Sequence, residues 1–239
     1  MCRLLCPRLG LFLARLQLGA SVMERCSPAR EGLGGIGFRY DYTNVFWPDD
    51  PTDQRRFRVY SDWFDKGLGS DFDFVDWGYT ASAVVPLWSH STLAAAQVFN
   101  GFSEALNDSA VPTQGLYSLG GSLSIRGIGA EEQLARNIFV LRTELRQVIS
   151  TELDLNLLDA LVLRQLQVKV LLDTGQVSNS AGRIYDVGTY ACGVGVGLTA
   201  FYDFLGFFPS TAYLEIATRV DDPSKAGDVQ VLFGSSQAF

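Results

Sequence analysis

The sequence predicts an all-β chain, an antiparallel meander of about ten strands of the class that closes into a transmembrane β-barrel. Three observations predict it. Apolar residues recur with period two, the signature of a strand with one greasy and one polar face. The alternating runs are long, often about a dozen residues, where strands of water-soluble domains have about five or six. The composition combines 47% apolar and 12% aromatic residues with only 19% charged, yet mean hydropathy is just +0.12. Two opposite surfaces averaged together account for that combination. A soluble antiparallel sandwich would also alternate. Strand length, and aromatics near the strand ends in the manner of membrane-interface girdles, favour the barrel.

The same numbers exclude other classes. This much apolar and aromatic material must be buried, which rules out disorder. With 239 residues, 19 basic against 26 acidic and a net charge of −7, the chain lacks the basic field that phosphate binding needs, so no nucleic-acid partner is expected. The charge-free stretch Trp77–Ser103 is long enough for a membrane helix, but Pro86 and Ser89-His90-Ser91 interrupt it. Read with period two it is coherent. Val75, Trp77, Tyr79, Ala81, Ala83, Val85 and Leu87 share one face, and Phe74, Asp76, Gly78, Thr80, Ser82 and Val84 the other.

In chain order, Met1–Arg30 holds three of the four cysteines, and Arg8 and Arg15 bracket its apolar part. It lacks the uninterrupted apolar core and cleavage site of a secretory signal. Residues 1–31 are therefore set apart as an atypical segment in which Leu9–Val22 could be a poor strand, and residues 32–239 are read as one barrel domain. Its expected strands are Gly35–Thr43, Arg56–Phe64, Phe74–Leu87, Thr92–Gly101, Ile138–Ile149, Leu161–Val177, Thr189–Tyr202, Thr211–Val220 and Asp228–Phe239. Turn formers such as Pro48-Asp49-Asp50-Pro51 and Asp221-Asp222-Pro223-Ser224 punctuate them. In the strand from Ile138, Arg142, Glu144 and Arg146 fall on one face, which suggests a hydrated, ion-paired interior. In the strand from Thr189, Gly193, Gly195 and Gly197 form a stripe that leaves room for something to pack against the wall. One connection breaks the rhythm: residues 102–137 show no clear strand, and so long a loop either covers a barrel mouth or folds into the lumen.

That loop carries Leu119-Gly120-Gly121-Ser122 and Ser124-Ile125-Arg126-Gly127-Ile128. It resembles the lumen loop of the outer-membrane assembly factor superfamily, which includes the bacterial surface antigen family with its BamA- and TamA-type proteins. Ile128 stands where that family usually has Phe or Tyr. Glu144-Leu145-Arg146 resembles the family's Glu-containing strand after the loop, and Leu171-Leu172-Asp173-Thr174-Gly175 its Phe-x-Asp-x-Gly strand, with Leu171 replacing the Phe. Gly35–Asn44 resembles a strand before a Pro- and Asp-containing turn. The chain ends in Phe239 after the alternating Val229, Val231 and Phe233, as outer-membrane barrels end, so Phe233 and Phe239 would belong to a C-terminal targeting signal. Ser235 and Gln237 make that signal degenerate.

The resemblance implies that Arg126 reaches the inner wall and contacts Asp173, with Glu144 a second possible partner and Gly175 on the same inward face. By period two, Leu171, Asp173 and Gly175 face inward, and Val170, Leu172 and Thr174 outward. A guanidinium in a confined space needs a carboxylate, since its five donors cannot go unpaired. Five strands follow Arg126, as in the family, and about five precede it against eleven. The expectation is therefore the C-terminal part of a sixteen-stranded barrel, without the POTRA repeats that come first in the family. The implied place is the bacterial outer membrane, and the implied role is insertion or translocation of proteins. The partners would be outer-membrane lipids, unfolded outer-membrane or secreted proteins, and assembly-machinery components. A structural or channel-type barrel without assembly activity is the alternative.

No enzyme, cofactor or metal chemistry is expected. Gly193-Val-Gly-Val-Gly197 alternates as a strand and lacks the helix and Lys of a phosphate loop. His90 is the only histidine and suits a solvated turn. Cys2, Cys6, Cys26 and Cys192 form no disulfide framework. Asp49, Asp50 and Asp53 could hold a cation but suit a solvated turn better.

Overall fold

The computed structural model describes residues 13–23, 33–44, 53–122, 124–130, 132–150, 155–157, 161–205, 208–222 and 228–235. Among them the chain is all-β, with thirteen strands: β1 (Leu13–Met23), β2 (Leu33–Thr43), β3 (Gln54–Phe64), β4 (Phe74–Pro86), β5 (Thr92–Ala105), β6 (Tyr117–Leu119), β7 (Gln133–Ala135), β8 (Asn137–Ser150), β9 (Leu155–Leu157), β10 (Leu161–Ser178), β11 (Ala191–Phe204), β12 (Phe208–Arg219) and β13 (Val229–Gly234). No helix among these residues is long and apolar enough to cross a membrane.

Ten strands form one antiparallel sheet in the order β1-β2-β3-β4-β5-β8-β10-β11-β12-β13, with β9 paired to the start of β10. β6 and β7 form a separate hairpin. The order is a plain meander apart from residues 106–136, an insert between the neighbours β5 and β8. β1 and β13 are the two sheet edges, and no pairing joins them among the described residues.

The two faces of the sheet differ in chemistry. On β8, Ile138, Val140, Arg142, Glu144, Arg146 and Val148 are buried, whereas Leu145 and Ile149 are exposed. On β10, Gln167, Lys169, Leu171 and Asp173 are buried, and Val168, Val170 and Leu172 are exposed. We call these the insert face and the open face. The alternation is as expected from period two, because a strand turns successive side chains to opposite faces. The insert face buries ions beside its aliphatics, whereas the open face leaves Val, Leu and Ile bare.

Several boundaries differ from expectation. The loop expected over residues 102–137 is shorter at both ends. β5 runs on to Ala105, because Trp77 pairs with Phe102 across the ladder and their rings stack 4.4 Å apart; β8 begins at Asn137. The insert itself holds a short 3-10 turn (Thr113–Gly115) and the β6–β7 hairpin. The strand expected from Thr189 starts at Ala191, since Val187–Thr189 form a 3-10 turn capped by the Asp186 carboxylate, which accepts from Gly188 N. The N-terminal strand is described over Leu13–Met23, and residues 9–12 of the expected Leu9–Val22 lie outside the described residues. The last strand is described only over Val229–Gly234, and Phe239, like the turn at Pro48–Pro51, lies outside the described residues. Phe139 does face the open side, but the β10–β11 connection folds back over it. Tyr185 and Tyr190 place their rings 5.8 and 5.6 Å from it, and Asn100 Nδ2 donates to the Tyr185 hydroxyl at 2.5 Å.

Candidate functional site

The insert is a built object rather than a slack loop. The β6–β7 hairpin forms its stem, and Gly120 (φ 104°), Gly121 (φ 84°) and Gly127 (φ 90°) bend its tip through backbone angles that L side chains rarely adopt. Gly121 N donates to Ile128 O at 2.9 Å, and Ser124 N to Gly121 O at 3.2 Å. Leu119, Ile125 and Ile128 pack with Ile138, Val140 and Ala191 of the wall into a collar of fully buried aliphatics. Above the sheet this collar excludes water from what lies beside it.

Beside it lies Arg126, with no exposed surface. Its Nε donates to Asp173 Oδ2 at 2.6 Å and one terminal nitrogen to Oδ1 at 2.7 Å, a bidentate fork, while its backbone N–H donates to Oδ2 at 3.1 Å. The other terminal nitrogen pairs with Glu144 and lies 3.3 Å from both oxygens of Glu215. The expected partners Asp173 and Glu144 thus meet Arg126 from β10 and β8. Glu215, from β12, was not expected. It is the one carboxylate in the strand Phe208–Arg219, on the insert face by period two, and that isolation was a readable signal.

The cluster continues outward from the carboxylates. Arg146 Nε donates to Glu144 Oε2 at 2.8 Å, Lys169 Nζ reaches Glu215 at 2.5 Å, and Arg142 Nε stands 3.9 Å from Asp173. Burial alone would push the Arg126 guanidinium down. The Asp173 hydrogen bonds and the charges of Glu144, Asp173 and Glu215 outweigh it and hold the group well above its ordinary value, so it stays charged. Removing one member of such a cluster strands the rest in low dielectric.

The wall is shaped to admit the insert. A Cβ on Gly193 of β11 would lie 1.9 Å from Arg126 O, so only glycine lets the loop backbone seat there. Gly175 is buried on the insert face beside Asp173, and its Cβ would meet Phe139 O at 2.1 Å, which keeps β10 close to β8. Gly127 N donates to Gln230 Oε1 of β13 at 3.1 Å, and Glu132 pairs with Arg219 of β12 at 2.6 Å. Arg219 also binds Asp221. Partial burial alone would raise the Asp221 carboxyl, but hydrogen bonds from Arg219 and Cys192 N hold it below its usual value.

A second anchor lies on the same face, toward its β3–β5 end. The Tyr117 ring fills a notch over Gly101, where any Cβ would collide with it at 2.5 Å. Its hydroxyl donates to Asp76 of β4 and lies 2.7 Å from the Tyr60 hydroxyl of β3. Burial, then the Asp76 charge, push the Tyr117 hydroxyl far up, so it remains a donor. No short-range signal marks this contact, because it joins residues 41 and 57 positions apart. Tyr117→Phe should keep the ring but leave Asp76 short of a donor. Loss of that hydrogen bond should cost about 1.5–3 kcal/mol, as for bonds to charged groups. Protease protection of the hairpin should fall correspondingly, and Tyr117→Ala should fall further; equal losses in the two variants would show that the ring notch adds nothing.

Together these contacts run from β3 to β13, so one insert ties both halves of the sheet. Phe233 stands on the open face at 83% exposure, on the last described strand. His90 is exposed in its turn, and Asp53 pairs with Arg55 at 3.3 Å. No group of three or more His, Cys, Asp or Glu that could hold a metal occurs among the described residues. Chemically the arrangement is a clamp, in which side chains hold a loop against a wall. A scan against protein-family models and a search of curated proteins find no match for this chain.

Proposed function

We propose that the chain is a transmembrane β-barrel of the bacterial outer membrane, of the kind that inserts or translocates other proteins. The observation that carries the membrane half of this reading is the contrast between the two faces of the sheet. Val170, Val196, Val231 and Phe233 are exposed at 58, 55, 60 and 83% on the open face, whereas the insert face buries Arg126, Glu144, Asp173 and Glu215. Contiguous apolar surface on this scale is unusual on a soluble monomer, and a bilayer is the medium that accepts it.

The assembly half rests on the resemblance of residues 119–128, 144–146 and 171–175 to the lumen loop and wall strands of assembly factors, together with the clamp those residues build. β1 and β13, the sheet edges among the described residues, are the places where a client strand could add by β-augmentation. A simple channel fits less well, because the insert occupies the face that would line a pore.

Two measurements test the reading. Chain refolded into phospholipid vesicles should resist carbonate extraction and migrate faster on gels before heating than after. Vesicles carrying it should then speed the folding of an added unfolded outer-membrane protein. Carbonate-soluble chain would overturn the membrane reading; a vesicle-inserted chain with no effect on client folding would leave a structural barrel.

A further inference from the structure

The open face is not evenly filled. Leu145, Val170, Val196 and Ile216, paired in turn across β8, β10, β11 and β12, form one rail of side chains. Gln147, Val168, Leu198 and Leu214 form the next rail two residues along. Between the rails, over the backbone of Lys169 and Gly197, runs a groove of about 540 Å³. Strand spacing makes it roughly 15–19 Å long, and the rails are about 7 Å apart.

The groove has a polar end and an apolar run. At the β5 end stand Trp88, 80% exposed, and a chain of hydroxyls in which Ser89 Oγ donates to Thr92 Oγ1 at 3.1 Å and Thr92 Oγ1 to Gln147 Oε1 at 2.8 Å. From there to β12 no charged side chain projects on this face. The occupant also needs no backbone hydrogen bonds. All four strands under the groove are paired on both sides, so an added strand finds no free N–H or C=O there. What fits is narrow, extended, hydrocarbon for most of its length and polar at one end.

We infer that this groove binds one acyl chain of a membrane phospholipid, with the headgroup at the Trp88 turn and the tail laid across β8 to β12. The inference rests on the membrane reading and goes beyond it, because it assigns a fixed site rather than general contact with lipid. Trp suits the headgroup end, where an indole places its ring in hydrocarbon and its N–H toward water.

The test uses the full chain in phosphatidylethanolamine and phosphatidylglycerol vesicles doped with a phosphatidylcholine carrying a diazirine on its acyl chain. After irradiation, labelled peptides are mapped by mass spectrometry. Labelling should concentrate at residues 168–170 and 196–198. Leu198→Trp, or independently Val196→Trp, should fill the groove and reduce that labelling about tenfold, as expected for lost apolar contact; Val229→Trp, on the same face outside the groove, should not. Labelling spread evenly over Val75, Val194 and Val229 as well would overturn the site while leaving a membrane barrel. Chain that is unlabelled and washes off with carbonate would overturn both.

Discussion

Asp173→Asn should release the insert from the wall. Both Asp173 oxygens are committed to Arg126, with Nε at 2.6 Å, a terminal nitrogen at 2.7 Å and the backbone N–H at 3.1 Å. An amide in that place offers one acceptor, and its NH₂ points at a donor. The charge balance worsens as well. Arg126, Arg142, Arg146 and Lys169 face Glu144, Asp173 and Glu215, four cations to three carboxylates, and the variant makes it four to two. Breaking a buried pair by removing one partner costs about 3–5 kcal/mol. Here that cost falls on docking of the insert, since β10 keeps both ladder partners. Limited proteolysis should therefore cut within residues 120–132 about a hundred- to a few thousandfold faster, given that each 1.4 kcal/mol is a factor of ten, while far-UV circular dichroism stays that of a sheet. Arg126→Ala should open the same sites, and the double variant should add little, because both changes remove one interaction. Unchanged cleavage in Asp173→Asn would mean that the insert is held without the pair.

The strands of this sheet were legible for a local reason. Along β8, β10 and β11 the alternation of Leu, Val and Ile with Arg, Glu, Asp or Gly sets the facing of every residue, and register follows because slipping by one residue would turn each side chain to the wrong face. Arg126, Asp173 and Glu144 could be named together from motif order. The unexpected partners were those with no local mark. The pairing of β3 with β4 sets Tyr60 beside Asp76, and only the fold of the insert brings Tyr117 to them. Period two puts Phe139 on the face opposite Arg142, yet the β10–β11 connection covers it with Tyr185 and Tyr190, a long-range event that strand periodicity cannot encode. The expected strand stops at Gly101, whereas β5 runs on to Ala105 and Gly101 is the notch that receives the Tyr117 ring.

Gly193→Val puts the shape of the wall to the same test as Asp173→Asn puts its charge. Val is a far better strand residue than Gly, and on propensity alone the change should stabilise β11 by up to about 1 kcal/mol. The seating of the insert predicts the opposite sign. The new Cβ would lie 1.9 Å from Arg126 O and 3.2 Å from Ile125 Cγ2. Backbone on one side and a collar residue on the other leave no flexible side chain to yield. β11 is laddered at Gly193 to both β10 and β12, so the insert must lift by an ångström or more. A lift of that size carries the 2.6 and 2.7 Å contacts of Arg126 beyond hydrogen-bond range. Overpacking of about 1–3 kcal/mol then combines with weakened ion pairing, and the insert should become protease-sensitive, as in Asp173→Asn. Gly197→Ala is the milder comparison on the same strand and face, because its Cβ meets Glu215 Cγ and Lys169 Cε at 3.0 Å and Leu214 O at 3.1 Å, approaches that a shift of a few tenths of an ångström relieves. It should leave protection within a factor of about two, as changes that a side chain can absorb usually do. A Gly193→Val chain with an insert as protected as the parent's would show that the glycine serves the strand and not the docking of Arg126.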